Sequence, residues 1–212
     1  MSSSSSKATI LSKETLLADQ AKWLKLEKIN WRDEDGKDRV WEAASRSTRA
    51  EKSGLDAVAI LAVIETEPRS TVLIEQFRPP AGGVCIELPA GLVDESESPK
   101  DAAFRELEEE TGFKAEKVLE ETPIVVCDPG MTTANMKLMV VSVSSSTKDV
   151  DKLEIPKQRL EAGEHIKRRI VVLDELEKVL KSYDEQGFII DARLSHFAGG
   201  YALARKLREK AY

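Results

Sequence analysis

The chain has 212 residues, 41% apolar and 33% charged, enough for one substantial domain with a small appendage and too few for three. Its 38 acidic residues outnumber 32 basic ones, and the net charge of −6 argues against a sequence-independent grip on nucleic acid as its main task. No apolar run approaches the roughly 18 residues of a membrane span, and Cys85 and Cys127 lack the spacing of a zinc or disulfide framework.

In chain order, the Ser-rich stretch of residues 1–20 lacks the apolar core of a secretory signal and reads as a flexible tail. Residues 21–50 form a small antiparallel unit. Trp23, Leu24, Leu26 and Ile29 alternate with lysines as a strand, Asp35-Gly36 marks a hairpin turn, and Val40 to Ala43 returns. A lone hairpin is marginal in water, so this unit is expected to pack on the rest of the chain or on a second subunit.

Residues 51–212 read as one α/β domain. Ala57 to Ile64 is a continuous apolar run suited to a central strand buried on both faces. Further strands are expected at Thr71 to Phe77, Val84 to Leu88, Lys117 to Cys127, Met136 to Val143 and Ile166 to Leu173. Lys148 to Glu164 is charged and without periodicity. Helices are expected over Asp174 to Asp184 and roughly Asp191 to Lys210.

The most sharply bounded helix is expected from Pro99 to Thr111. Ser98 is a good N-cap, Pro99 takes the first helical position, Asp101 the third, and Gly112 follows as a C-cap. At 100° per residue, Ala103, Phe104, Leu107 and Thr111 face the core. Arg105, Glu106, Glu109 and Glu110 fall on the opposite arc. Four glutamates at 106, 108, 109 and 110 repel one another and oppose the helix dipole. They form either a solvated acidic face or a site for a hard cation, which carboxylates hold well.

The segment before the helix decides between these. From Gly91 the sequence runs GLVDESESPKDAAFRELEEETGF: a Gly, Glu97 after five residues, Arg105-Glu106-Leu107 after seven more, then Glu109-Glu110 and Gly112-Phe113. This resembles, without a departure, the loop-helix signature of the Nudix hydrolases. The resemblance implies a Nudix-type α/β/α sandwich with a mixed sheet, preceded by the small N-terminal β unit. It also implies a Mg²⁺-dependent hydrolase, with Mn²⁺ as the substitute ion. Glu106 and Glu110 would be direct metal ligands, Glu109 a ligand or water holder, the Ala90 carbonyl a further ligand, and Glu97 and Arg105 the groups that orient them.

The flanking runs Glu75 to Pro80 and Glu87 to Gly91, with Cys127-Asp128-Pro129-Gly130 and Asp191-Ala192-Arg193, resemble the eukaryotic ADP-ribose and ADP-sugar pyrophosphatases from about Lys22 to Ala211. That resemblance implies a homodimer joined by exchange of the N-terminal strands, and a small ADP-sugar as substrate, with no nucleic acid or membrane partner. Trp23 and Trp41 would sandwich the adenine across the dimer; the plainer reading makes each an interface anchor. Arg46 and Arg78 would grip the pyrophosphate, and Asp128, Gly130 and Met131 would line the substrate. Glu164 matches the glutamate that positions or deprotonates water, and would also reach the metal. His165 is the rival base, while His196 has no partner in the sequence. The products from ADP-ribose would be AMP and ribose 5-phosphate. Competing expectations are a sanitising hydrolase for oxidised guanine nucleoside diphosphates and a non-catalytic ADP-ribose sensor. The cellular address is expected to be the cytoplasm, with the nucleus as the other candidate.

Overall fold

The computed structural model describes residues 8–209. The Ser-rich stretch expected as a tail lies partly outside them; residues 11–17 carry no regular structure, and Ala18–Gln20 form one 3-10 turn. The hairpin follows, as strands β1 (Leu24–Arg32) and β2 (Asp38–Arg46), paired antiparallel in a two-stranded sheet of their own. Gly36, with φ 77°, supplies the left-handed residue of the connection, and Asp33 Oδ1 accepts the Lys37 N–H at 2.8 Å to close it.

The main sheet contains β3 (Ala57–Ile64), β4 (Ser70–Arg78), β5 (Gly83–Glu87), β6 (Ala90–Leu92), β7 (Lys117–Glu121), β8 (Val125–Val126), β9 (Asn135–Val143), β10 (Ile166–Val172) and β11 (Ile189–Ile190). Helices α1 (Pro99–Thr111), α2 (Leu176–Glu185) and α3 (Ala192–Glu209) complete it. The order β11-β5-β4-β3-β9-β7 forms the path, with β10 on β4, β6 on β3 and β8 on β9. β3–β9 and β11–β5 are parallel and the other pairs antiparallel, so the sheet is mixed, as expected. β3 and β4 share only the Ile64–Ser70 register pair, so the sheet divides into a half built on β3 and a half built on β4.

The alternation of β3 explains the three layers. Val58, Ile60, Ala62 and Ile64 point to one face, where Ala102, Ala103 and Leu107 of α1 cover them. Leu61 points to the other, with Leu176, Leu180 and Tyr183 of α2 and Leu194 and Ala198 of α3. Burial on both faces is why β3 reads as an unbroken apolar run.

Several strands differ from expectation. The Lys117 to Cys127 strand breaks into β7 and β8, with a bulge between Val118 and Glu120. β6 and β11 were not expected, because two or three residues carry no periodicity and exist only through their partners β3 and β5. Among the described residues no helix is long and apolar enough to cross a membrane.

Candidate active site

The site begins with the caps of α1. Ser98 Oγ accepts the Asp101 N–H at 3.1 Å and donates its own hydrogen to Asp101 Oδ2 at 2.6 Å, so both groups of the N-cap are satisfied reciprocally. At the other end Gly112, φ 80°, turns its N–H back to the Glu108 carbonyl at 2.8 Å. A Cβ there would lie 2.7 Å from the Lys157 carbonyl oxygen, so glycine is needed for space as well as conformation.

The remaining last-turn carbonyls are capped from a distance. Glu109 O accepts the Arg159 N–H at 2.9 Å, Glu110 O accepts the Gln158 side chain at 2.5 Å, and Thr111 O accepts Arg168 Nη1 at 2.7 Å. All four orphan carbonyls of the helix therefore have donors. Two of these donors, Gln158 and Arg159, come from the second half of the charged segment Lys148 to Glu164, and the third, Arg168, from β10.

The glutamates are then divided by Arg105. Its Nε and Nη2 bind Glu97 in a fork, both at 2.9 Å. Its Nη1 reaches Glu106 at 2.8 Å and Glu109 at 3.1 Å, and Nη2 also donates to the Leu92 carbonyl at 3.1 Å. One guanidinium thus ties the loop before α1 to two carboxylates on it.

Glu110 departs from expectation. It lies on the arc assigned to the side away from the core, yet is only 4% exposed, because β6 folds over it. Its Oε2 accepts the Ala90 N–H at 2.9 Å, and among the described residues it has no ion pair. Burial, with the charges of Glu106 and Glu164 adding to it, pushes its pKa up to about 8, against the Ala90 hydrogen bond and the charge of Arg78. Burial likewise raises the Glu106 pKa in spite of Arg105. Gly91 makes room for this group: a Cβ on it would fall 1.8 Å from the Glu106 carboxyl carbon. The Glu106 carboxylate is seated on bare backbone.

These features fit a divalent cation. One buried carboxylate, a half-buried one and a third nearby raise one another's proton affinity, which is the chemistry of hard oxygen donors short of positive charge. In this arrangement the donors are not closed into a cage: among the described residues no three carboxylate, imidazole or thiol groups gather closely enough to hold an ion. Arg105 instead takes Glu97, Glu106 and Glu109. The Ala90 N–H binds Glu110, which sets the end of β6 against the helix.

Arg78 and Glu164 line a cleft of about 1080 Å³ beside these carboxylates, together with Gln76, Phe77, His165 and Phe188. Arg78 is not free there. Nε and Nη2 bind Glu87 Oε1 and Oε2, each at 2.8 Å, and Glu87 is 7% exposed. Three guanidinium hydrogens remain for a ligand. Sequence reasoning missed Glu87 as a site residue. The strand register explains the pairing: Ile86 faces the core of α2 and α3, which puts Glu87 on the α1 side, on the same face as the β4 positions Ile74, Gln76 and Arg78. Glu164 sits in a turn in which its N–H donates to Glu161 O at 3.1 Å and its Oε2 accepts the Glu161 N–H at 2.9 Å. His165, the rival base, is exposed on the cleft rim, and His196 lies exposed on α3.

The other expected substrate residues gather elsewhere. Trp41 Nε1 donates to the Gly130 carbonyl at 3.0 Å, and the Asp128 carbonyl accepts the Met131 N–H at 3.2 Å. Met131 O accepts the Ala44 N–H at 2.9 Å, so this loop is laced to β2. Trp23 precedes β1 and is 61% exposed beneath Lys22, and Arg46 is exposed at the end of β2. In the register Trp41 faces Ile29, six residues along from Trp23, so the two indoles of one chain are ~20 Å apart. They do not flank one base within one chain.

A model of the NUDIX domain matches residues 55–188. An uncharacterized Nudix hydrolase of Schizosaccharomyces pombe is 45% identical over 195 residues, covering 92% of this chain and 93% of that one. The ADP-ribose pyrophosphatase of Saccharomyces cerevisiae is 39% identical over 192 residues, 89% of this chain and 81% of that one. The ADP-sugar pyrophosphatase of Mus musculus is 38% identical over 204 residues, 95% and 89% of the two chains. The crystal structure of an ADP compounds hydrolase superposes with a TM-score of 0.61 at 20% identity, covering 99% of this chain and 98% of that one, a likeness of fold.

Proposed function

Because this chain belongs to the Nudix hydrolase family, we propose that it hydrolyses the diphosphate bond of ADP-ribose and related ADP-sugars to AMP and a sugar phosphate. The observation that carries the reading is the buried Glu110 with the half-buried Glu106 beside it at β6, next to a cleft that also holds an arginine and a third glutamate. A structural protein has no use for a buried carboxylate without an ion pair. The relatives whose names specify ADP-ribose or ADP-sugars, similar over most of their length, support the substrate.

A divalent cation is required by this chemistry. We take it to be Mg²⁺, with Mn²⁺ able to substitute, held by Glu106 and Glu110 with Glu109, Glu164 and the Ala90 carbonyl as further donors. Such an ion supplies Lewis-acid polarisation of the phosphoryl oxygens and a water of lowered pKa. The chain's own groups do the rest. Glu97 and Arg105 hold the carboxylates in register. Arg78, stiffened by its fork to Glu87, offers its remaining N–H groups to the diphosphate, and Arg46 adds positive charge from the hairpin. Glu164 accepts the proton of the attacking water. Its carboxylate can do so while still bound to the Glu161 N–H, because an ionised carboxylate offers about four acceptor sites.

Trp23 and Trp41 stack on the base, each from a different protomer, with Asp128, Gly130 and Met131 forming the wall behind Trp41. The hairpin supports this assembly: Trp23, Ile29, Trp31 and Trp41 lie exposed on one face, and Leu24, Leu26 and Val40 on the other. A hairpin apolar on both faces and exposed along all of β1 is built to be covered by a second copy.

The test is AMP release from a panel of ADP-ribose, other ADP-sugars and 8-oxo-dGDP, each with Mg²⁺ and with Mn²⁺. ADP-ribose or another ADP-sugar should give the highest kcat/KM. Preference for 8-oxo-dGDP would move the enzyme to nucleotide sanitation, and ligand binding without product would make it a sensor.

A further inference from the structure

We propose that Gln158 is a positioning residue, whose carboxamide sets the distance between the loop bearing Glu164 and the metal-binding carboxylates of α1; this rests on the hydrolase reading above. The side-chain nitrogen of Gln158 has two hydrogens and two acceptors: the Glu110 carbonyl at 2.5 Å and the Ile166 carbonyl at 3.2 Å. One amide thus joins the backbone of the buried carboxylate to the first residue of β10, two positions after Glu164. It closes residues 158–166 into a ring that contains Glu164 and is pinned to α1 at its junction.

Inside that ring the geometry is stiff. The reciprocal bonds of Glu161 and Glu164 close a tight turn, and Gly163, φ 91°, provides the positive φ that the turn requires. Among the described residues of the ring, Gln158 and Arg159 both reach the end of α1, and of these two the Gln158 side chain is the one that also binds Ile166, beyond Glu164. With both hydrogens committed to backbone carbonyls, Gln158 has no donor left for substrate, so it acts through Glu164 and not on the reacting atoms.

The neighbouring anchors make the proposal testable. The Arg159 N–H holds Glu109 O at 2.9 Å, the Arg159 guanidinium pairs with Glu108 at 2.8 Å, and Arg168 binds both Thr111 O and Pro156 O. Loss of Gln158 alone therefore leaves residues 156–168 docked on α1 and the helix end mostly capped, while Glu164 loses its fixed separation from Glu110.

The experiment is Gln158→Met, which keeps the length and removes both donors, in the wild-type and Glu164→Gln backgrounds. Backbone hydrogen exchange of residues 161–165 is measured on the metal-free proteins. We expect kcat to fall roughly tenfold or more in the wild-type background with KM changed by less than about threefold, since ångström-scale misplacement of a catalytic group acts on the chemical step. In the Glu164→Gln background the same substitution should cost little further, and exchange at 161–165 should accelerate. Equal fractional losses of kcat in both backgrounds, or unchanged exchange, overturns the proposal. If the wild-type protein releases no AMP from any ADP-sugar, the hydrolase reading fails, and the exchange result still decides whether Gln158 holds the loop.

Discussion

Along β1 every residue is exposed, and β2 buries only Ala43. Helix α1, somewhat longer, buries five side chains and has donors on every terminal carbonyl. The hairpin has secure backbone pairing, nine register pairs closed by an Asp-anchored turn, and little to pack against. The helix has a strongly charged sequence, unfavourable by itself, and is held by groups up to some sixty residues away. Local backbone order and tertiary support are separate quantities, and each region has mainly one of them. In the function proposed above, the helix carries the chemistry within one chain, and the hairpin would carry base recognition across two.

The largest expected break in this contrast is Glu110→Gln. It should lower kcat/KM by more than about 100-fold, since it removes a proposed cation ligand, while leaving sedimentation behaviour unchanged. Normal turnover would defeat the metal assignment. The converse change is Leu26→Asp on the exposed hairpin face, which should dissociate the proposed dimer and raise KM roughly tenfold as base stacking is lost, with the α1 carboxylates untouched. Sedimentation velocity with steady-state kinetics reads both effects, and a wild-type monomer at micromolar concentration would remove the cross-subunit role of the tryptophans.

The pH dependence of stability sharpens the helix side. Glu110 binds its proton up to about pH 8 when folded, against an ordinary value of 4.5 when unfolded, so between these pH values the folded state holds the extra proton. Stability of the metal-free protein should therefore be highest near the lower limit and fall as pH rises through the window, by an amount on the order of a few kcal/mol. Thermal melts in chelator from pH 5 to 9 should show this slope, and Glu110→Gln should flatten it. A slope of the same size in the variant would place the titration elsewhere. The smallest effect is that of Ser98→Ala, about 1 kcal/mol of stability from the lost N-cap, read as a shifted urea midpoint at unchanged slope and with the dimer intact.

What was legible in the sequence follows the same division. The ends of α1 match because Ser98, Pro99 and Gly112 act within a few residues of themselves, and β3 matches because burial on both faces leaves no polar position to confuse its limits. The structure brings Glu97, Arg105, Glu106 and Glu109 into one hydrogen-bonded group, and three of them are neighbours on the helix that the signature spans. Glu110 was assigned to the wrong environment, since the helical wheel shows direction and not what lies in that direction; β6, too short to be read, covers it. The pairing of Arg78 with Glu87 and the capping by Gln158, Arg159 and Arg168 depend on register between strands and on a segment without periodicity, which local patterning does not encode. Chain-to-chain placement of the tryptophans is beyond a single chain altogether.

The distant donors on the last turn of α1 bear on how portable this loop and helix are. Grafted onto another scaffold, the segment from Gly91 to Phe113 would bring its acidic ligands and its own N-cap, but three bare carbonyls would point their negative ends at whatever surface received them. An engineer would have to transplant the strap of residues 156–168 as well, and an evolving lineage that shortens that strap loses the helix end with it.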